Sequence, residues 1–83
     1  MRTQVIRAEV LRLIHQTPFR AFAMSLENGD RIIIGHPENI AFDPTPEGPS
    51  DFYAFSGPLR VYSTFDAVTS VSLLDTGGEA GVA

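Results

Sequence analysis

Phe22-Ala23-Met24-Ser25-Leu26-Glu27-Asn28-Gly29-Asp30-Arg31-Ile32-Ile33-Ile34 is the stretch on which the fold turns. Phe22, Met24 and Leu26 alternate with Ala23, Ser25 and Glu27, the period of a strand with one buried face. Asn28-Gly29 signals a hairpin, because glycine enters the left-handed backbone region without steric cost. A strand over residues 21–27 is therefore predicted to turn back into one over 30–35. Two registers compete. A two-residue loop pairs Glu27 with Asp30 and sets Ile32 and Ile34 on the face opposite Phe22, Met24 and Leu26. A three-residue loop pairs Leu26 with Asp30, Met24 with Ile32 and Phe22 with Ile34. A slip of one residue moves every side chain to the other face, so burial selects the second arrangement. It requires a type I turn with Gly29 left-handed in a bulge, and it turns Ile33 away from the main core.

Upstream, Thr3 to Gln16 reads as an amphipathic helix. At about 100° per residue, Ile6, Val10, Leu13 and Ile14 share one face, with Leu11 at its margin. Arg2, Glu9, Arg12 and Gln16 take the other face, and Arg7 sits at the rim, where its stem can lie along apolar surface. Thr3 is a candidate N-cap. Pro18 ends the helix, because the residue before a proline is driven to extended backbone.

Downstream, His36-Pro37-Glu38-Asn39 breaks the second strand, since Pro37 cannot donate to a ladder. Ile40-Ala41-Phe42 resumes a short apolar run. Asp43 to Asp51 holds Pro44, Pro46, Gly48 and Pro49 and reads as a mobile loop. Phe52–Ser56 and Leu59–Ser63 are two strands joined at Gly57-Pro58. Both of their faces carry apolar bulk: Phe52, Ala54, Leu59 and Val61 on one side, Tyr53, Phe55 and Tyr62 on the other. Either both faces are covered or the aromatic one meets a partner. Thr64–Ala67 is a connector. Val68–Leu74 is the last strand, with Val71 and Leu73 as its core pair.

The expected fold class is α+β. An N-terminal helix precedes about five short antiparallel strands, which form a strongly bent sheet or a small barrel. An open sheet packed on the helix is the alternative. The single domain spans residues 1–74, and 75–83, with three glycines, form a disordered tail.

Composition narrows the function. The chain has 83 residues and no cysteine, so a disulfide is excluded. A domain this small buries only about 60% of its unfolded surface, and self-association is the accessible route to further burial. No run approaches the roughly 20 apolar residues of a membrane helix, and no signal peptide is visible; the cytoplasm is the expected location. The net charge is −4. Residues 1–20 hold four arginines and one glutamate, whereas 21–83 hold two arginines and nine acids. That balance disfavours nucleic acid at long range, and Arg2, Arg7 and Arg12 scatter around the helix without forming a stripe.

Pro18-Phe19-Arg20-Ala21-Phe22, Leu26, Asn28-Gly29, His36-Pro37-Glu38 and Ala41 resemble the pattern of a group of short uncharacterised bacterial proteins. Those combine a helix, Pro-Phe-x-x-Phe, a strand ending in x-Gly, and His-Pro-Glu. That resemblance covers roughly residues 5–42 and implies no activity. A second, topological resemblance is to Sm-like proteins, including bacterial RNA chaperones. Met24 to Gly29 looks like the start of their first motif, and Leu59 to Leu74 loosely suits their last two strands. This resemblance implies a five-stranded bent barrel and RNA binding. The Asp-x-x-x-Asn loop that holds nucleotides in that family has no counterpart here; Glu38-Asn39 lies near the region at different spacing.

Catalytic chemistry has little to work with. No serine lies in a Gly-x-Ser-x-Gly elbow, and Gly77-Gly78 precedes no helix that would make it a phosphate cradle. His36 and Glu38 form a candidate ligand site, but His-x-Glu supplies only two of the three or four ligands that zinc takes. The chain is therefore expected to be no enzyme and to hold no cofactor or metal. The expected role is a protein-interaction or self-association module, working as a homo-oligomer or on a protein partner. Its surface would be Ile33, Tyr53, Phe55, Arg60 and Tyr62, residue types enriched at interface centres. An Sm-like RNA-binding role is the alternative.

Overall fold

A computed structural model describes residues 2–45 and 48–74. Helix α1 (Arg2–Ile14) leads into β1 (Phe22–Leu26) and β2 (Arg31–Ile34). A 3₁₀ turn at Pro37–Asn39 precedes β3 (Ile40–Phe42), followed by β4 (Asp51–Ser56) and β5 (Leu59–Thr64). A second 3₁₀ turn, Phe65–Ala67, delivers β6 (Val68–Leu73). Every pairing is antiparallel. The strands form two three-stranded sheets, ordered β2-β1-β6 and β3-β4-β5.

The first hairpin has the burial-selected register. Met24 pairs with Ile32 and Phe22 with Ile34. Leu26 N–H donates to the Asp30 carbonyl at 2.9 Å, and Gly29 N–H to the Leu26 carbonyl at 3.0 Å, closing the type I turn. Gly29 has φ +95°, the left-handed residue this bulge needs. The Asn28 side-chain oxygen accepts from Asp30 N–H at 2.9 Å and locks the turn. At Gly57-Pro58, Gly57 has φ +62° and Ser56 pairs directly with Leu59, as in a two-residue type II′ turn.

The barrel is not closed among the described residues, and the strands number six where about five were expected. Pro37 explains the difference: the 3₁₀ turn it starts divides one long apolar stretch into β2 and β3, and each joins a different sheet. The sheets meet where the Ile33 N–H donates to the Ser56 hydroxyl at 3.0 Å.

Between the sheets lies one core: Val10 and Leu13 of α1, Phe22, Met24, Leu26, Ile32, Ile34, Ile40, Phe52, Ala54, Phe65 and Val68. Phe65, in the stretch that reads as a plain connector, is fully buried. Its ring centroid lies 4.9 Å from those of both Phe42 and Phe52. Conversely, Leu73 is exposed although its register with Phe22 gives it a core-side position, because β6 is an edge strand and Leu73 is its last residue. Leu59 is exposed in the same way, at the hairpin tip, while Val61 and Val71 pack against the core.

The helix departs from expectation at both ends. It starts at Arg2, so Thr3 is inside it and is no cap; the Thr3 hydroxyl donates instead to the Asp66 carboxylate in the second 3₁₀ turn. It ends at Ile14, where His15 and Gln16 N–H groups reach back to Arg12 and Leu13 carbonyls in a tightened last turn. Arg7 lies beneath the rim, only 6% exposed, and donates to the Asp43 and Thr45 carbonyls. Part of the segment expected to be a mobile loop is thus fastened to the helix. Asp51, placed at the end of that loop, belongs to β4. Pro46 and Glu47, and the tail expected over 75–83, lie outside the described residues.

Candidate functional site

In β4 the inner positions are Phe52 and Ala54, both buried, which forces Asp51, Tyr53 and Phe55 outward. Directly paired residues share a face, so the outer face comprises Asp51 with Thr64, Tyr53 with Tyr62, and Phe55 with Arg60. Ala41 of β3 lies beside Tyr53 and extends the face with a small residue. Tyr53, Phe55 and Tyr62 are 41%, 36% and 72% exposed.

The rings form a connected layer. Tyr53 and Phe55 meet edge to face at 5.3 Å between centroids, and Tyr53 and Tyr62 lie 6.5 Å apart. The Arg60 guanidinium carbon sits 4.8 Å over the Phe55 ring, a cation–π contact. At the other end, the Tyr62 hydroxyl donates to the Asp51 carboxylate at 2.5 Å. That hydrogen bond, with the carboxylate's charge, holds the Tyr62 phenol pKa above the usual tyrosine value. A carboxylate layer, an aromatic layer and a guanidinium layer therefore follow one another along the hairpin.

The structure brings four of the expected surface residues, Tyr53, Phe55, Arg60 and Tyr62, onto this face. Ile33 is 41% exposed but belongs to β2 of the other sheet, reaching the hairpin through the bond to Ser56. Asp51 was missed, because its neighbours Pro49 and Ser50 read as loop and hid the strand start. His36 and Glu38 are both exposed at the bend between β2 and β3. Among the described residues, no three His, Asp or Glu side chains gather into a metal-holding group. No described helix is long and apolar enough to cross a membrane.

A shallow cleft between α1 and the segment after β3 is lined by Gln4, Arg7, Ala8, Leu11, Phe42 and Pro44. Among its described lining residues the cation is Arg7, whose guanidinium is already engaged by backbone carbonyls. Comparison with protein-family models, characterised proteins and solved structures finds no match to this chain.

Proposed function

We propose that this chain is a non-enzymatic contact module that docks a protein surface on the outer face of β4 and β5. A contrast between the two sheets carries this role. On the outer face of β1 and β6 the paired residues are Ala23 with Ser72 and Ser25 with Ser70, all small. On the equivalent face of β4 and β5 they are Tyr53 with Tyr62 and Phe55 with Arg60. One chain thus builds the outer face of β1 and β6 from small side chains, with Ile33 of β2 beside the buried Ala23 and Arg31 beside Ser25, and the outer face of β4 and β5 from large exposed rings. Full burial of such a ring is worth roughly 1.5–3 kcal/mol, and docking would recover the part that the 36–72% exposure of these three forgoes. Tyrosine, phenylalanine and arginine are also the types that dominate interface centres.

The test is the native assembly mass of the full chain at its natural expression level, with and without Tyr53→Thr, Phe55→Thr and Tyr62→Thr together. The expected result is a mass above one chain that falls to one chain in the triple variant. A mass of one chain both at natural expression level and for the purified chain to about 100-fold above the micromolar range, or an assembly indifferent to the triple variant, refutes the role.

The order of helix and strands favours a second role, RNA binding by an Sm-like domain. The net charge of −4 opposes it. Binding of a mixed RNA pool that weakens steeply with salt would support it, and absence of such binding below the millimolar range would remove it.

A further inference from the structure

Resting on the contact role proposed above, we infer that the occupant of the β4–β5 outer face is a second copy of this chain, laid on it face to face across a two-fold axis. The charge arrangement carries this. Among the described residues paired across β3, β4 and β5 on this face, Asp51 and Arg60 are the charged ones, and they occupy opposite ends of it, with Tyr53 and Tyr62 in the row between. Rows on one face of a strand are about 6.8 Å apart, so Asp51 and Phe55 are separated by about 14 Å along β4.

An axis crossing the strands at the Tyr53–Tyr62 row reverses the strands of the second copy. Each Asp51 end then lies over an Arg60 end, and the tyrosines meet at the centre. An unreversed stack sets like charge over like. The carboxylate can serve both its tyrosine and an arginine, since its two oxygens accept about four hydrogen bonds. Ala41, small and exposed beside Tyr53, leaves room for a ring of the second copy.

Isologous contacts of this kind are self-complementary by construction. The face is only three strands wide, about 10–15 Å, and six residues long, about 20 Å. That is about 200–300 Å² per copy, below the roughly 1,000 Å² in total of a stable interface, so the association is weak and reversible, with a dissociation constant of about a micromolar or higher.

Sedimentation of the purified full chain over a range of concentrations tests the geometry, using Arg60→Glu and Asp51→Lys. In a reversed two-fold stack each single variant faces like charge with like at both ends. Each is expected to weaken association about tenfold or more. An equal mixture of the two single variants restores matched pairs at both ends, so it should associate as tightly as the parent. The double variant should do so alone, and salt should weaken the parent. A purified parent chain that stays monomeric to about 100-fold above the micromolar range overturns the second copy as occupant and leaves docking of another protein standing. Association that survives Tyr53→Thr, Phe55→Thr and Tyr62→Thr together overturns both. Association lost in that triple variant but unmoved by the charge variants and their mixture overturns the two-fold stack alone.

Discussion

Replacing Phe65 with alanine is the most demanding test of the core. Phe65 has no exposed surface and sits between Phe42 and Phe52, each 4.9 Å away between centroids. Truncating a fully buried phenylalanine to alanine costs about 3–5 kcal/mol, through lost transfer and a cavity that neighbours fill only in part. A domain of about 70 ordered residues has roughly 4–10 kcal/mol of stability in all. Phe65→Ala should therefore remove a third or more of it and leave part of the population unfolded. Phe65→Leu keeps most of the volume but loses two ring pairs, each of about 0.5–1.5 kcal/mol, so it should cost about 1–3 kcal/mol. Urea unfolding followed by circular dichroism, at one fixed low protein concentration, reads both. With a slope near 1 kcal/mol/M, the alanine midpoint falls by about 3 M or more and the leucine midpoint by about 1–3 M. Phe55→Ala, on the exposed face, is the control and should cost about 1–2 kcal/mol, for its contacts with Tyr53 and Arg60, with no cavity left behind. The reasoning fails if Phe65→Ala costs under about 1 kcal/mol, or if Phe55→Ala costs as much.

Gly29→Ala should destabilise by about 1–2 kcal/mol from backbone strain alone, because φ is +95° and a Cβ there would meet no neighbour; an unchanged unfolding midpoint would contradict the bulge. Arg7→Met removes the donors to the Asp43 and Thr45 carbonyls and should cost about 1.5–3 kcal/mol, with faster amide exchange near residues 43–45; unchanged exchange would show that Arg7 does not fasten that segment. The Tyr62 phenol is raised by its bond to Asp51, so that bond is fully present below the unfolded tyrosine pKa and is lost as pH rises through the higher folded value. Phenolate absorbance of the chain's two tyrosines should show the late ionisation, and Asp51→Asn should bring it back towards the usual value; two unshifted ionisations in the parent chain would exclude the bond.

What could be read from the sequence had a period or a turn to read it by. The first hairpin was legible because only one register buries Phe22, Met24, Leu26, Ile32 and Ile34 together. The two faces of β4 and β5 were legible because Phe52 and Ala54 alternate with Tyr53 and Phe55. Phe65 was not, because a single residue in a three-residue turn has no periodicity, and its burial is decided by rings 13 and 23 positions away. Arg7 looked like an ordinary rim residue; what buries it is the return of Asp43–Thr45 over the helix, a contact no local pattern encodes. The division into two sheets was half legible. Pro37 announced a break, but whether the chain resumes in the same sheet depends on what β3 finds beside it, and that is β4.

The aromatic face has a purely internal explanation that must be weighed. Tyrosine and phenylalanine suit strands, and cross-strand pairs of such residues contribute about 0.2–1 kcal/mol each. Two pairs give at most about 2 kcal/mol, a real fraction of a small domain's stability. That benefit, however, is not particular to rings, since β-branched residues match a pleated surface equally well. It also applies with equal force to β1 and β6, where the chain places serine against serine at Ser25–Ser70. Sheet stability alone therefore predicts that threonine can replace the three rings with little loss, and it predicts nothing about assembly. A contact role predicts the same tolerance of the fold together with loss of the assembly. Threonine, rather than serine or alanine, is for that reason the substitution that separates the two: it keeps the strand preference and removes only the rings. Nor does strand preference account for a carboxylate at one end of the ring layer and a guanidinium at the other. The internal contacts, Tyr62 to Asp51 and Arg60 over Phe55, hold those charges in place at the two ends, where a reversed second copy would meet each with its opposite.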